Sequence, residues 1–128
     1  MKKVLITGAT GFIGRHCLPS LLEMGYEVHA VSSKTSRSKL PNVYWHQADL
    51  LDTERVSRLI AEVQPTQLLH FAWFTAPGEY WNSLENLRWV RASLELLETF
   101  SAYGGERAVM AGTCFEYDLR HGYCSEQI

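Results

Sequence analysis

Three glycines, Gly8, Gly11 and Gly14, stand three residues apart directly after the apolar run Val4-Leu5-Ile6. No other feature narrows the folds open to this chain so far. A short apolar run without polar alternation is the pattern of a strand buried on both faces inside a parallel sheet. Beyond the glycines, Ile13, Cys17, Leu18, Leu21 and Leu22 recur at helical spacing, and Gly25 stands where a left-handed helix stop belongs. Pro19 lies inside this helix, where it removes one backbone donor and is expected to kink the axis. Gly8 then permits a tight exit from the strand, Gly11 lets the backbone approach a pyrophosphate closely, and Gly14 lets the helix pack tightly against the sheet. The helix N-terminus adds unpaired N–H groups and partial positive charge. Thr7, Gly8, Thr10, Gly11, Phe12, Ile13 and Gly14 are therefore expected to line a dinucleotide diphosphate. Glycines also make ordinary turns; the place of these three between a strand and a helix near the N-terminus favours binding.

The rest of the chain continues the alternation of strands and helices. Residues 28–31 and Val43-Tyr44-Trp45 read as strands, with the polar stretch 32–39 as a loop between them. Asp52 or Thr53 caps a helix whose apolar stripe is Val56, Leu59, Ile60 and Val63, and Pro65 forbids its continuation. Residues 68–71 form a fourth strand. After Pro77-Gly78 a long helix is expected, capped by Asn82 with Glu85 three residues on, and with Leu87, Val90, Leu94 and Leu97 on its buried side. Residues 108–111 form a fifth strand. This order implies an α/β fold, a Rossmann-type doubly wound parallel sheet of five strands in the order 3-2-1-4-5, occupying residues 1–128 as a single, incomplete domain. Ligands of such sheets bind outside the carboxyl ends of the strands, where the strand order reverses.

Composition removes several other classes. The net charge is −2 and the basic residues form no stripe, so nucleic acid is not an expected partner. Cys17, Cys114 and Cys124 make no Cys-x-x-Cys pair, and their odd number argues against a complete disulfide framework, so a reducing cytoplasm is the default expectation. Met1-Lys2-Lys3 is basic, but only Val4-Leu5-Ile6 follows it, too short for a secretion signal, and no run approaches a membrane span. His16, His29, His46, His70 and His121 show no metal-ligand spacing, so no metal site is expected. Trp73, Trp81 and Trp89 read as core or loop anchors before they read as a sugar-stacking surface.

The glycine spacing G-x-x-G-x-x-G, the pair Asp49-Leu50, the segment His70-Phe71-Ala72-Trp73 and Asn86 in the long helix together resemble the extended short-chain dehydrogenase/reductase family, the NAD-dependent epimerase/dehydratases. The resemblance runs from Lys3 to about Tyr117. It implies that Asp49 and Leu50 contact the adenine, that Phe71, Ala72 and Trp73 lie beside the cofactor, and that Asn86 belongs to the same site. It also places Thr113, in Ala111-Gly112-Thr113-Cys114-Phe115-Glu116-Tyr117, where the family's catalytic Ser or Thr hydrogen-bonds the substrate oxygen. Without the resemblance, Thr113 simply ends a strand. Relatives that dehydrate sugars carry Thr-Asp-Glu there; Thr113-Cys114-Phe115 counts against that reaction.

No tyrosine in the chain has a lysine four residues later, so the family's Tyr-x-x-x-Lys acid/base pair is missing. The expected parent activity is a nucleotide-sugar epimerase or 4-ketoreductase using NADP or NAD. The 128 residues themselves are expected to be a truncated, inactive, cofactor-binding part that forms homo-oligomers. A non-catalytic dinucleotide-binding sensor or interaction module is the alternative. NADP is slightly preferred over NAD, because Ser32-Ser33 stand where NAD-selecting relatives carry an Asp, and Lys34 and Arg37 follow as cations for a 2′-phosphate.

Overall fold

The computed structural model describes residues 1–35, 40–113 and 116–122. Strands β1 (Lys3–Thr7), β2 (Glu27–Ser32), β3 (Val43–Gln47), β4 (Gln67–His70) and β5 (Arg107–Met110) alternate with helices α1 (Phe12–Glu23), α2 (Thr53–Val63) and α3 (Glu85–Ala102). Every strand pairing is parallel and the sheet order is β3-β2-β1-β4-β5, as the alternation predicts. β1 is the central strand, with Leu5 opposite His29 on one side and Leu68 on the other.

The pleat sorts the core into two layers. Leu5, Val31 and Leu68 point toward α2 and α3, where they meet Val56, Leu59, Ile60, Leu96 and Phe100. Val4, Ile6, Val28 and Ala30 point the other way, onto Leu18 and Leu21 of α1. This second layer is less complete. On the α1 side Leu69 lines an open groove of about 570 Å³ with Phe12, Ile13, His16, Cys17, Ser20 and Leu21, and Val109 of β5 is 48% exposed.

Most helix signals act as expected. Asp52 caps α2 by accepting from the Arg55 N–H at 3.1 Å, and Val56, Leu59, Ile60 and Val63 are its buried stripe. Gly25, at φ +82°, ends α1, while Pro19 is accommodated within that helix. Ile13 departs from the expected core stripe of α1, since it is 58% exposed. At the start of α3 the expected capping box is absent. The helix begins at Glu85, and it is the Ser83 hydroxyl, not Asn82, that accepts from the Glu85 N–H at 3.1 Å. The buried side of α3 also differs. It consists of Ala92, Ser93, Leu96 and Phe100, with Trp89 and Leu97 partly covered, whereas Leu87, Val90 and Leu94 are 67%, 46% and 62% exposed. Two apolar stripes share this helix. Periodicity cannot say which one meets the sheet; the small residues Ala92 and Ser93 decide it by allowing close approach.

Candidate functional site

The carboxyl end of β1 runs into the glycine turn, and each glycine has its own constraint. Gly8 has φ +64°, and a Cβ there would sit 2.8 Å from the Ala72 backbone nitrogen and 2.9 Å from the Phe71 carbonyl carbon. It thus serves both the tight turn and the close passage of the chain leaving β4. Gly14 packs directly on the turn: a Cβ would overlap the Gly8 carbonyl oxygen and lie 2.9 Å from the Ala9 Cα. The helix is therefore seated on the turn backbone, not on a strand. Gly11 caps α1 in extended geometry, donates to the Gly8 carbonyl at 3.0 Å, and is exposed beside Thr10. Phe12, 73% exposed, and Ile13 complete the open rim of the helix N-terminus. Among the described residues of α1 no acidic side chain occupies the first turn, and no side chain caps it, so its leading N–H groups face outward for an anion.

Thr7 and the start of the 70–73 segment are linked from within. The Thr7 hydroxyl accepts from the Phe71 and Ala72 N–H groups at 3.1 and 3.2 Å and lies 2.6 Å from Nδ1 of His70. Its own proton therefore points to Nδ1, which makes His70 the acceptor there and leaves its proton on Nε2, donated to the Ser93 hydroxyl at 2.8 Å. Burial holds His70 down to about 4, so the ring is neutral, as this assignment needs. Thr7–His70–Ser93 fastens β1, β4 and α3 at the edge of the site. The Thr7 side chain is fully buried, so what it offers a ligand is position alone. The glycine motif marks Thr7 without this role and leaves His70 unmarked, although a His at a buried strand end is the signal.

The other expected residues are distributed along the same edge. Ser32, at the end of β2, is buried and accepts from the Lys34 N–H at 3.2 Å; Ser33 and Lys34 are exposed. Arg37 lies outside the described residues. Asp49 is exposed, but its carboxylate accepts from the Leu51 N–H at 2.9 Å, and Leu50 is buried in the α2 and α3 layer. Phe71 and Ala72 are partly buried against the two core layers. Trp73 is 39% exposed, 6.1 Å from the Trp89 ring, and its indole N–H donates to Asn86 at 2.8 Å. Asn86 also donates to the carbonyls of Tyr80 and Ser83. Its amide is fully engaged as a clasp on the loop after β4 and holds Trp73 in place instead of presenting a free group. Thr113 lies three residues beyond β5, exposed, with its backbone N–H on the Glu116 carboxylate at 3.2 Å. Cys114 and Phe115 lie outside the described residues.

A smaller cavity of about 220 Å³ opens at the ends of β2 and β3, lined by Ser32, Lys34, Thr35, Trp45, His46 and Gln47. The Trp45 indole N–H is buried without an acceptor. Among the described residues no cluster of three or more side chains could hold a metal ion, and no helix is long and apolar enough to cross a membrane.

A parallel sheet in this order, with a glycine turn leading from its central strand into a helix N-terminus, defines a Rossmann-type α/β protein. The chain belongs to the NAD dependent epimerase/dehydratase family, whose model matches residues 4–126. It is 32% identical over 131 residues to a UDP-glucose 4-epimerase of Neisseria meningitidis serogroup C, covering 91% of this chain and 38% of that protein. It is 38% identical over 82 residues to a GDP-mannose 4,6-dehydratase of Yersinia enterocolitica, covering 53% of this chain and 22% of that protein. Among solved structures it resembles a UDP-glucose-4-epimerase of Stenotrophomonas maltophila with bound NAD and formylated UDP-arabinopyranose. The TM-score is 0.74 at 26% identity, over 90% of this chain and 38% of the other. The chain thus spans well under half the length of these relatives.

Proposed function

We propose that this chain forms the dinucleotide-binding part of an enzyme that epimerises or reduces a nucleotide-linked sugar. The observation that carries the reading is the turn from Gly8 to Gly14, closed on its inner side by backbone contacts and open at Thr10, Gly11 and the α1 N-terminus. The diphosphate would sit on that N-terminus, with the adenosine toward Ser32, Ser33, Asp49 and Leu50 and the nicotinamide toward Phe71, Ala72, Trp73 and Thr113. NAD is bound by the Stenotrophomonas relative, and it supplies hydride transfer when present. In this chain Thr113 would hold a substrate hydroxyl, while the 128 residues supply no Tyr-x-x-x-Lys pair to move its proton. By themselves they are proposed to bind cofactor without turnover.

Ser32 and Ser33 occupy the end of β2, where a carboxylate would repel a 2′-phosphate, and the exposed Lys34 is close to Ser32. NADP is therefore the preferred cofactor in this reading. Calorimetric titration should show saturable binding of both dinucleotides, with NADP tighter by about two- to fivefold at low salt, and the difference abolished by Lys34→Ala with Arg37→Ala. No heat with either dinucleotide, or detectable steady-state oxidation of a UDP-sugar by the chain alone, contradicts the proposal.

The exposed stripe Leu87, Val90 and Leu94 on α3, with Leu84 just before it, together with the open β5, suits self-association. Sedimentation at high micromolar concentration is expected to show a concentration-dependent oligomer that Leu87→Glu disperses. A clean monomer would remove this part of the proposal.

A further inference from the structure

His29 and His46 lie on the α2 side of the sheet, diagonally across β2 and β3, with Nδ1 of His29 2.8 Å from Nε2 of His46. Their rings are 16° from parallel with centroids 5.1 Å apart. A 2.8 Å N···N contact plus the two ring radii already accounts for that separation, so the rings meet edge to edge with lone-pair directions opposed. That is the geometry of one shared proton. A metal ion would need the two lone pairs to converge on a common point. On the far side, Nε2 of His29 lies 2.7 Å from the Glu27 carboxylate. The bond from His29, followed by Lys3, holds Glu27 below the usual carboxylate range, so it is an acceptor only.

These contacts fix the protons. In the neutral pair His29 donates Nε2–H to Glu27, and His46 donates Nε2–H to Nδ1 of His29. Nδ1 of His46 is then the one open lone pair, and His46 lines the 220 Å³ cavity at the ends of β2 and β3. An incoming proton bonds to Nδ1 of His46 while the bridging proton passes to His29. The positive charge then rests beside Glu27, and His46 has exchanged an acceptor for an N–H donor. A second proton would place two N–H groups head to head and is excluded. The surroundings agree with charge resting on His29. Burial, then the charges of His29 and Arg55, hold His46 below the usual imidazole range, against an opposing effect of Glu62 on α2. Tyr44 stacks on His29 at 5.0 Å, and Lys3 of β1 reaches Glu27 at 4.0 Å. Lys34 is the cation across the cavity.

We propose that His29 and His46, backed by Glu27, form a one-proton relay that sets the charge beside this cavity and makes its preference for a phosphate monoester depend on pH. The inference rests on the reading that the adenosine end of the dinucleotide lies here. Below the midpoint of the pair, the added charge, the His46 donor, Lys34 and the unpaired Trp45 indole N–H together favour the 2′-phosphate of NADP; above it, His46 offers a lone pair that opposes it.

Two measurements test this separately. Nitrogen-15 NMR of the imidazoles, without cofactor, should show His29 and His46 titrating together with uptake of one proton, and Glu27→Gln should lower that midpoint. Calorimetry with NADP and NAD at about pH 8 and about pH 6 should show the NADP to NAD affinity ratio about fivefold more favourable at the lower pH in the wild type than in His46→Gln. The comparison with the variant is needed because the 2′-phosphate itself begins to protonate near pH 6 and opposes the trend in both proteins. Independent titration of the two rings, or an identical pH dependence in His46→Gln, overturns the relay. Failure of both dinucleotides to bind at either pH overturns the functional reading and the coupling with it, and the NMR titration then still decides whether the proton pair exists.

Discussion

Gly14→Ala is expected to cost about 3 kcal/mol or more of folding stability, read as a fall in denaturant midpoint. The change would otherwise be favourable, because alanine is the better helix former by about 1 kcal/mol. The packing overrules that preference. A Cβ at this position overlaps the Gly8 carbonyl oxygen and approaches the Gly8 carbon and the Ala9 Cα at 2.9 Å, and all three are backbone atoms. The turn has little room to retreat, since Gly8 is held at φ +64° and passes so near the chain leaving β4 that a Cβ on it would stand 2.8 Å from the Ala72 nitrogen. Moving α1 outward would open the layer of Val4, Ile6, Leu18 and Leu21. Gly11→Ala provides the contrast. Its Cβ meets only the Gly8 oxygen, at 3.2 Å, on an exposed surface, so stability should change by less than about 1 kcal/mol. Its effect should appear in the dinucleotide titration instead, because the methyl group occupies the face proposed for the diphosphate. Equal midpoint losses for the two variants would mean that the turn is scaffolding throughout, and an unchanged midpoint for Gly14→Ala would refute the packing argument.

The strand order and the glycine turn were legible because both follow from local pattern. Apolar runs alternating with helical stripes leave few topologies once crossovers must be right-handed, and the tight turn at Gly8 follows from chain geometry, whereas Gly14 meets the turn backbone and not the sheet that its spacing suggested. The buried face of α3 was not legible. Leu87, Val90 and Leu94 have the right spacing for a core stripe, but so do Ser93, Leu96 and Phe100, and only the tertiary partner chooses between them. The same limit applies to polar groups. Asn86 could be placed in the long helix from the sequence, yet its engagement with Trp73, Tyr80 and Ser83 depends on a loop conformation that no spacing encodes. The Glu27, His29 and His46 chain was nearly accessible. Glu27 and His29 share a face by strand alternation, and His46 joins them only once the register pairs Val31 with His46. Lys34 and Thr35 meet Trp45 at one cavity for a comparable reason, since the loop after β2 must fold back on β3.

Acid is expected to destabilise the chain through His70, and the sign follows from its surroundings. The unfolded chain protonates this ring near its ordinary value of 6.5, whereas the folded chain does so only at about 4, because burial disfavours the imidazolium. Between those values the unfolded state binds more protons, so stability is complete above about 6.5 and is lost as pH falls toward 4, by about 3 kcal/mol in total. The hydrogen bonds reinforce the direction. A proton on Nδ1 would displace the Thr7 proton that now points there, and would disturb the hydroxyl that receives the Phe71 and Ala72 N–H groups. The loss should therefore begin at the junction of β1, β4 and α3, beside the glycine turn. His70→Asn separates this contribution from that of the carboxylates. Its side-chain oxygen can still accept from Thr7, but Ser93 loses its partner, so the variant should be about 1–2 kcal/mol less stable than wild type at neutral pH. Because asparagine does not titrate, its curve should fall less steeply with acid, and the two stabilities should converge and then cross before pH 4. Urea unfolding of both proteins across that range measures the crossing. Parallel curves would show that His70 does not resist protonation in the folded chain, and the neutral Nε2–H tautomer that links Thr7 to Ser93 would then be wrong.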